Sequence, residues 1–261
     1  MNVAVLIKQT PDTAELPRVT VAEAQSGQLQ ATMVINPWDE FAVEEAIDLS
    51  DRFGCETVAI SMGLEGETDA LKHALAMGVD SAVHVDERVI DGGDEWATAE
   101  ALAAAVKKVD TGEEVELVLA GKMSVDGNSS VIHAGVACKL GWDLLVNVTR
   151  IVDIVDGKLI AEQAFEGGQE TVEVPLPVVI SVAKEINEPR YPSFMGIRKA
   201  SRASIPTLGR DDLEIRPSST TRWTDLNKPE PEDVQVRIFD AASVEEKVAQ
   251  LADALMAEKV I

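Results

Sequence analysis

The sequence predicts an α/β protein built on a parallel sheet with helices on both faces. Short, continuous apolar runs recur along the first half of the chain, each the length of a strand buried on both sides. Between them lie segments whose apolar residues repeat at helical spacing. That alternation of strand and helix is the order that forms a covered parallel sheet.

The first run is NVAVLI (2–7). The connection after it, roughly 9–37, shows no convincing helix and reads as an excursion loop. A helix follows from NPWDE. Pro37 suits its first turn, and Asp39, Glu40, Glu44 and Glu45 suit its positive end and read as a solvated face. Ala42, Ala46, Leu49 and Phe53 share its apolar side. ETVAISM (56–62) is the second strand. Thr68 is expected to cap a helix carrying Leu71, Ala74 and Leu75, stopped by Gly78. SAVHVD (81–86) is the third strand. Asp94 then caps a helix with Trp96, Ala99, Ala103 and Val106 in register. VELVLAG (115–121) is the fourth strand, and Asp126 precedes a helix with Val131, Ala134, Gly135 and Cys138 on one face.

After about residue 143 the pattern becomes strand-rich. The turns DG (156–157) and EGGQ (166–169) mark hairpins, and PVVISVA is expected to return to the main sheet. Beyond Ala203 apolar residues thin out. The chain closes on SVEEKVAQLADALMAEKVI, where Ser243 and Glu246 suit a capping box and Val244, Val248, Leu251 and Leu255 form one stripe. This helix suits either a partner or its own domain. The expected organisation is a nucleotide-binding α/β domain over 1–205, including a hairpin extension and a loop at 187–202, then a C-terminal arm and helix over 206–261.

The 46 acidic against 23 basic residues give a formal net charge of -23, which argues against general nucleic-acid or anionic-membrane binding. The excess suits either a high-salt habitat or an ordinary acidic protein. Cys55 and Cys138 stand apart, expected as small core residues, with no disulfide or zinc pattern. No apolar run reaches the length of a membrane span and no signal peptide is visible, so a cytoplasmic location is expected.

Ligands of such sheets bind beyond the carboxyl ends of the strands. GKMSVDGNSS (121–130) is the best candidate for a phosphate there: it follows a buried strand, supplies Gly121 and Gly127, and leads into a helix. It is neither a P-loop nor a dinucleotide fingerprint. An ordinary strand-to-helix turn is the competing reading. Trp38 is either a core plug or an exposed platform. His73, His84 and His133 are scattered, which makes metal ligation improbable, and no catalytic nucleophile or paired-carboxylate pattern is present. One stretch is anomalous in charge. From Pro189 to Arg210 there is no acid, while Arg190, Arg198, Lys199, Arg202 and Arg210 are basic.

NEPRYPSFMGIRKA (187–200) closely resembles the recognition segment of electron transfer flavoprotein beta subunits. VLIKQTPDTAE, INPWDEFAVEEA, ALAMGVDSAVHV, LAGKMSVDG and GGQETVEVPLPVVISVAKEI resemble the same family in order, over most of residues 1–205. The resemblance implies an adenine nucleotide alpha hydrolase-like fold and a non-enzymatic electron carrier. It implies a heterodimer with an alpha subunit bearing the redox-active FAD, and AMP in this chain, or a second FAD in electron-bifurcating members. Dehydrogenases such as acyl-CoA dehydrogenases would be donors, and a quinone reductase or similar protein the acceptor.

Carried onto this sequence, the resemblance implies a nucleotide site at Leu6, Asn36, Ser61, Met62, Gly121, Lys122, Asp126, Gly127, Asn128, Ser129 and Ser130. Thr13 and Trp38 would approach the partner's flavin. Arg190, Phe194, Ile197, Arg198 and Lys199 would form the partner-docking segment, with Phe194 as its apolar anchor. The chain departs from the family's pattern at Val131, Ile132 and His133, where many members have Gln-(Thr or Val)-Gly. Ala164 stands where some members have an acid, leaving that role to Glu162 or Glu166, or vacant. The start DEWAT at Asp94 resembles the D-x-x-A-T of bifurcating members. A stand-alone nucleotide-binding enzyme and a nucleotide sensor are the alternatives to a carrier subunit.

Overall fold

A computed structural model describes residues 1–27, 29–90, 93–109, 111–221, 224–230 and 236–260. The chain divides into two compact units, Met1–Leu226 and Asn227–Ile261. In the larger unit the expected sheet forms. β1 (Asn2–Leu6), β4 (Thr57–Gly63), β5 (Ser81–Asp86), β6 (Val115–Gly121) and β10 (Val178–Val182) are all parallel, in the order β5-β4-β1-β6-β10. Every residue of β1 and of β10 is buried, which is why these runs are Val-, Ile- and Leu-rich without alternation.

Helices α2 (Pro37–Phe53) and α3 (Asp69–Met77) cover one face, with Val43, Ala46, Leu49, Leu71 and Ala74 packed on Val3, Val5, Leu117 and Ile180. Helices α4 (Glu95–Lys108) and α5 (Ile132–Leu140) cover the other, with Leu102, Val106 and Val136 on Ala4, Ile60, Val118 and Val179. Ala99 and Gly135 let α4 and α5 approach closely, since a Cβ at 135 would strike the Ala99 methyl.

Three departures from the sequence reading have physical causes. The excursion after β1 is built, not irregular: β2 (Gln9–Pro11) pairs antiparallel with β3 (Met33–Ile35), and α1 (Val21–Ser26) is held by a Thr20–Glu23 capping box. Thr68 makes no side-chain cap for α3. The Gln9 Oε1 accepts from the N–H groups of Asp69 and Ala70 instead, at 3.0 and 3.1 Å. Cys55 is buried as expected, but Cys138 is exposed.

The strand-rich second half extends the same sheet. β7 (Asp143–Val155) starts parallel to β10 and then pairs antiparallel with β8 (Lys158–Phe165), which pairs with β9 (Gly168–Pro175). β10 returns between β6 and β7. At the opposite edge β11 (Thr207–Leu208) pairs with β5, and Leu213 of α7 (Arg210–Leu213) is buried in the core beneath α4. The sheet unit therefore reaches past 206, the expected start of the arm, because this short strand and one buried leucine tie residues 207–213 to the sheet. In the smaller unit, α8 (Val244–Ala257) is capped by Ser243, which accepts from the Glu246 N–H. Arg237 pairs with Glu258 there, and Lys247 with Asp240. Among the described residues, no helix is long and apolar enough to cross a membrane.

Candidate functional site

The chain runs outward from β1 through β4 and β5, then crosses back to place β6 on β1's other side. The reversal opens a crevice beyond the carboxyl ends of β1 and β6, the favoured ligand position in such sheets. Leu6 and Ala120 are register partners at its floor. Leu6 itself packs into the α4-side core.

Three loops meet at this crevice and are tied together by polar contacts. Asn36 is fully buried. Its Nδ2 donates to the Met123 carbonyl at 2.8 Å, and its Oδ1 accepts from the Val125 N–H at 3.1 Å. Its side chain is thus spent on shaping the loop after β6. The Lys8 N–H donates to Asp39 at 2.7 Å, and the Lys8 ammonium donates to both oxygens of Asp126, at 2.9 and 2.7 Å. Asp39, expected as a solvated acid, is buried behind these contacts. Burial raises its carboxyl to about 7, against the opposing N–H donors of Lys8 and Gly121 and the Asn36 amide. Gly121 has a packing role: a Cβ would meet the Trp38 carbonyl carbon and oxygen at 2.7 Å and clash with Asp39. Trp38 is half-buried, and Thr13 is exposed. The register of β2 with β3 puts Thr13 beyond Pro11 and Trp38 beyond Ile35, at opposite ends of that ribbon.

The loop from Gly121 to Ser130 is suited to an anion. Ser124 accepts from the N–H of Gly127 and of Asn128, closing a turn, while Asn128 and Ser130 both adopt the left-handed conformation at φ 52°. The first turn of α5 then starts after Val131 with no side-chain cap and no acidic residue. Its first N–H groups are left for a ligand, and the helix dipole favours a negative one. Lys122, Asn128 and Ser130 are exposed and Ser129 half-buried along this loop. Ser61 is buried at the end of β4, and Met62 is half-buried beside it. His133, in the first turn of α5, is buried and its imidazole pKa is lowered by burial, so it brings little positive charge.

A second pocket, about 330 Å³, lies between the starts of α4 and α5. Asp94, Trp96, Val131, Ala134, Gly135, Thr220 and Thr221 line it. Asp94 caps α4 as expected, accepting from the Ala97 N–H at 2.8 Å. It also accepts from the N–H and hydroxyl groups of Thr220 and Thr221. These donors hold its carboxyl far below the usual range, the Ala97 N–H first among them. Nothing in the local sequence marked Thr220 and Thr221, 126 and 127 residues away, as its partners. Elsewhere, Glu162 faces Arg150 at 3.5 Å and Glu166 is exposed at the hairpin turn. Among the described residues, no cluster of His, Cys, Asp and Glu could hold a metal ion.

The segment 187–200 projects its apolar residues. Phe194 is 82% exposed, so it is not part of the protein's own core, and Met195 and Ile197 are exposed with it. The stretch is a short helix, α6 (Phe194–Ala200), capped by Ser193. Gly196 is required because a Cβ would collide with the Ala76 carbonyl of α3. Arg198, Lys199 and Arg202 are exposed beside Phe194. Arg190 differs: its guanidinium and its N–H are both bound by Glu44. Glu44 and Glu45 are buried, not a solvated face, because both are bonded to this segment.

The family model for the electron transfer flavoprotein domain matches residues 28–213. The chain is 39% identical over 218 residues to an electron transfer flavoprotein subunit beta of Thermoanaerobacterium thermosaccharolyticum, covering 82% of this chain and 81% of that protein. It is 34% identical over 220 residues to the Caffeyl-CoA reductase-Etf complex subunit CarD of Acetobacterium woodii, covering 84% and 82%. It is also 31% identical over 267 residues to protein FixA of Azotobacter vinelandii, covering 99% and 94%.

Proposed function

The chain belongs to the electron transfer flavoprotein beta-subunit family, and from that membership we propose that it holds an adenine nucleotide at the β1/β6 crevice while presenting a partner's FAD to electron donors. It is a carrier subunit and not an enzyme. The observation that carries the nucleotide site is the Gly121–Ser130 loop, with two left-handed residues feeding an uncapped α5 in the topological crevice. Those donors fit a phosphate. Gly127, Asn128, Ser129 and Ser130 would hold it, Ser61 and Met62 would border the nucleoside, and Asn36 and Asp126 would keep the loop in shape. Lys122 adds positive charge at the mouth.

The partner alpha subunit's FAD would supply the reversible electron chemistry. This chain's own part is structural: Trp38 and Thr13 face that flavin, while Phe194, with Ile197, Arg198 and Lys199 around it, docks a dehydrogenase donor. A quinone reductase-type protein is the acceptor in this reading, and the setting is cytoplasmic. AMP is favoured over FAD in this chain. The bifurcating form, with a second FAD in this chain, is the alternative reading, from the D-x-x-A-T start at Asp94, whose carboxylate accepts from Thr220 and Thr221.

Cofactor counting on the purified heterodimer tests this directly. One FAD and one AMP per complex is expected. Two FADs would replace AMP with the bifurcating form, and a complex without nucleotide in this chain would overturn the site.

A further inference from the structure

The recognition segment has a rigid root and an exposed tip. At the root, Asn187 Nδ2 donates to the Phe41 carbonyl at 3.1 Å and to Glu45 Oε2 at 3.0 Å. Three residues on, the Arg190 N–H donates to Glu44 Oε2 at 3.0 Å, and its guanidinium makes Nε contacts of 2.9 Å to both Glu44 oxygens and an Nη2 contact of 2.8 Å to Oε1. Both glutamates sit in the middle of α2 and are buried. A buried carboxylate needs donors on its oxygens, and this one short segment supplies them to both oxygens of Glu44 and to one of Glu45. Gly196 adds a third fixed point against α3. Between these points the side chains of Tyr191, Phe194 and Met195 stand in solvent.

We propose that Glu44 and Glu45 are positioning residues for partner docking: they root Asn187 and Arg190 on α2, so that Phe194 and Ile197 are held in the bound arrangement before a donor arrives. This rests on the reading of 187–200 as the docking segment. Arg190 is withdrawn from the docking face and becomes part of the root, leaving Arg198, Lys199 and Arg202 as its charged rim. The same helix braces both functions. Its start, at Asn36 and Asp39, shapes the nucleotide loop, and its middle fixes the docking turn about one and a half turns further on. An anchor already ordered spares the ordering cost of each immobilised side chain on binding.

The test uses the assembled heterodimer with Glu44→Gln, Arg190→Lys and Phe194→Ala, and reads two quantities. Amide exchange comes first. Glu44→Gln should speed exchange across 190–200 about tenfold or more, leaving β1 and β6 unchanged. Arg190→Lys, which keeps the charge but not the bidentate contact, should do so less. Equal protection in wild type and Glu44→Gln overturns the proposal, as does an equal rise across the whole sheet. The second readout is reduction by an acyl-CoA dehydrogenase with its acyl-CoA. The Glu44→Gln KM for that donor should rise about tenfold with kcat and flavin content retained. If Phe194→Ala raises KM and Glu44→Gln does not, the root has no role in docking and the proposal falls. If neither raises KM, the docking reading itself fails and takes the proposal with it. If Glu44→Gln does not fold, Arg190→Lys carries the same decision, since unchanged exchange and KM in it refute the root.

Discussion

Replacing Gly121 with alanine isolates a close backbone approach in the crevice beyond β1 and β6. The new Cβ would lie 2.7 Å from the Trp38 carbonyl carbon and oxygen, and ordinary contact begins at 3.4 Å. The first turn of α2 must therefore retreat by about 0.7 Å, and the obstacle is main chain, which cannot rotate away as a side chain can. Overpacking of this kind costs about 1–3 kcal/mol. Gly121 is not in the left-handed region, so alanine also gains about 0.4–1 kcal/mol from a less flexible unfolded chain. The midpoints, about 2 less about 0.7, leave a net loss of about 1.3 kcal/mol, or a fall in Tm of roughly 3–5 °C for a chain of this size. Asp39 loses its fit against the Gly121 N–H in the same movement. Thermal unfolding of the full chain, with Gly93→Ala as control, measures this, since a Cβ at Gly93 meets nothing within 4 Å. Equal melting temperatures for the two variants would refute the close-approach reasoning.

Other perturbations probe the remaining parts. Burial raises both Asp39 and Glu45 to about 7, so the folded chain binds more protons than the unfolded one between about pH 4 and 7. The stability they contribute is complete below their unfolded pKa values and is lost as pH rises through 7, at up to about 1.4 kcal/mol per pH unit for each group. Asp39→Asn should flatten the stability-pH curve in that window by one such slope; parallel curves for variant and wild type would exclude a buried, protonatable Asp39. Asp94→Ala removes the acceptor of Thr220 and Thr221, and their amides should lose exchange protection while α5 keeps its own. Unchanged protection at both threonines would show that another contact holds this segment. Phe194→Ala should raise the donor's KM by tenfold or more at constant flavin content, as expected for an exposed aromatic anchor. An unchanged KM would exclude Phe194 as the anchor.

Much of the fold was legible because it rests on local pattern. The runs SAVHVD and VELVLAG coincide with β5 and β6, and DG and EGGQ lie at the two hairpin turns. Burial on both faces leaves no room for alternation, so the sequence advertises each strand. The loop 121–130 was recognisable on the same grounds, as a glycine-bearing link from a buried strand to a helix. The small helix α1 escaped although Thr20 and Glu23 carry a capping-box spacing, because no apolar face accompanies it.

The sequence by itself determined the order of strands along the chain, the helical faces, the place of the glycine-bearing loop between β6 and α5 and the family to which the chain belongs. Which acids are solvated and which are structural was decided only by tertiary structure. Asp39, Glu44, Glu45 and Asp94 look alike in the sequence as acids within or just before a helix. Each is buried because donors from elsewhere in the chain converge on it: Lys8, Arg190, Asn187, and Thr220 with Thr221. The contrast between an acidic chain and its basic segment is resolved in the same way. One of that segment's arginines is neutralised by α2 and roots the turn, while the charges beside Phe194 remain free to meet solvent. Long-range pairing of an acid with its donors has no periodicity for a sequence to display, because the chain must fold before the two groups are neighbours.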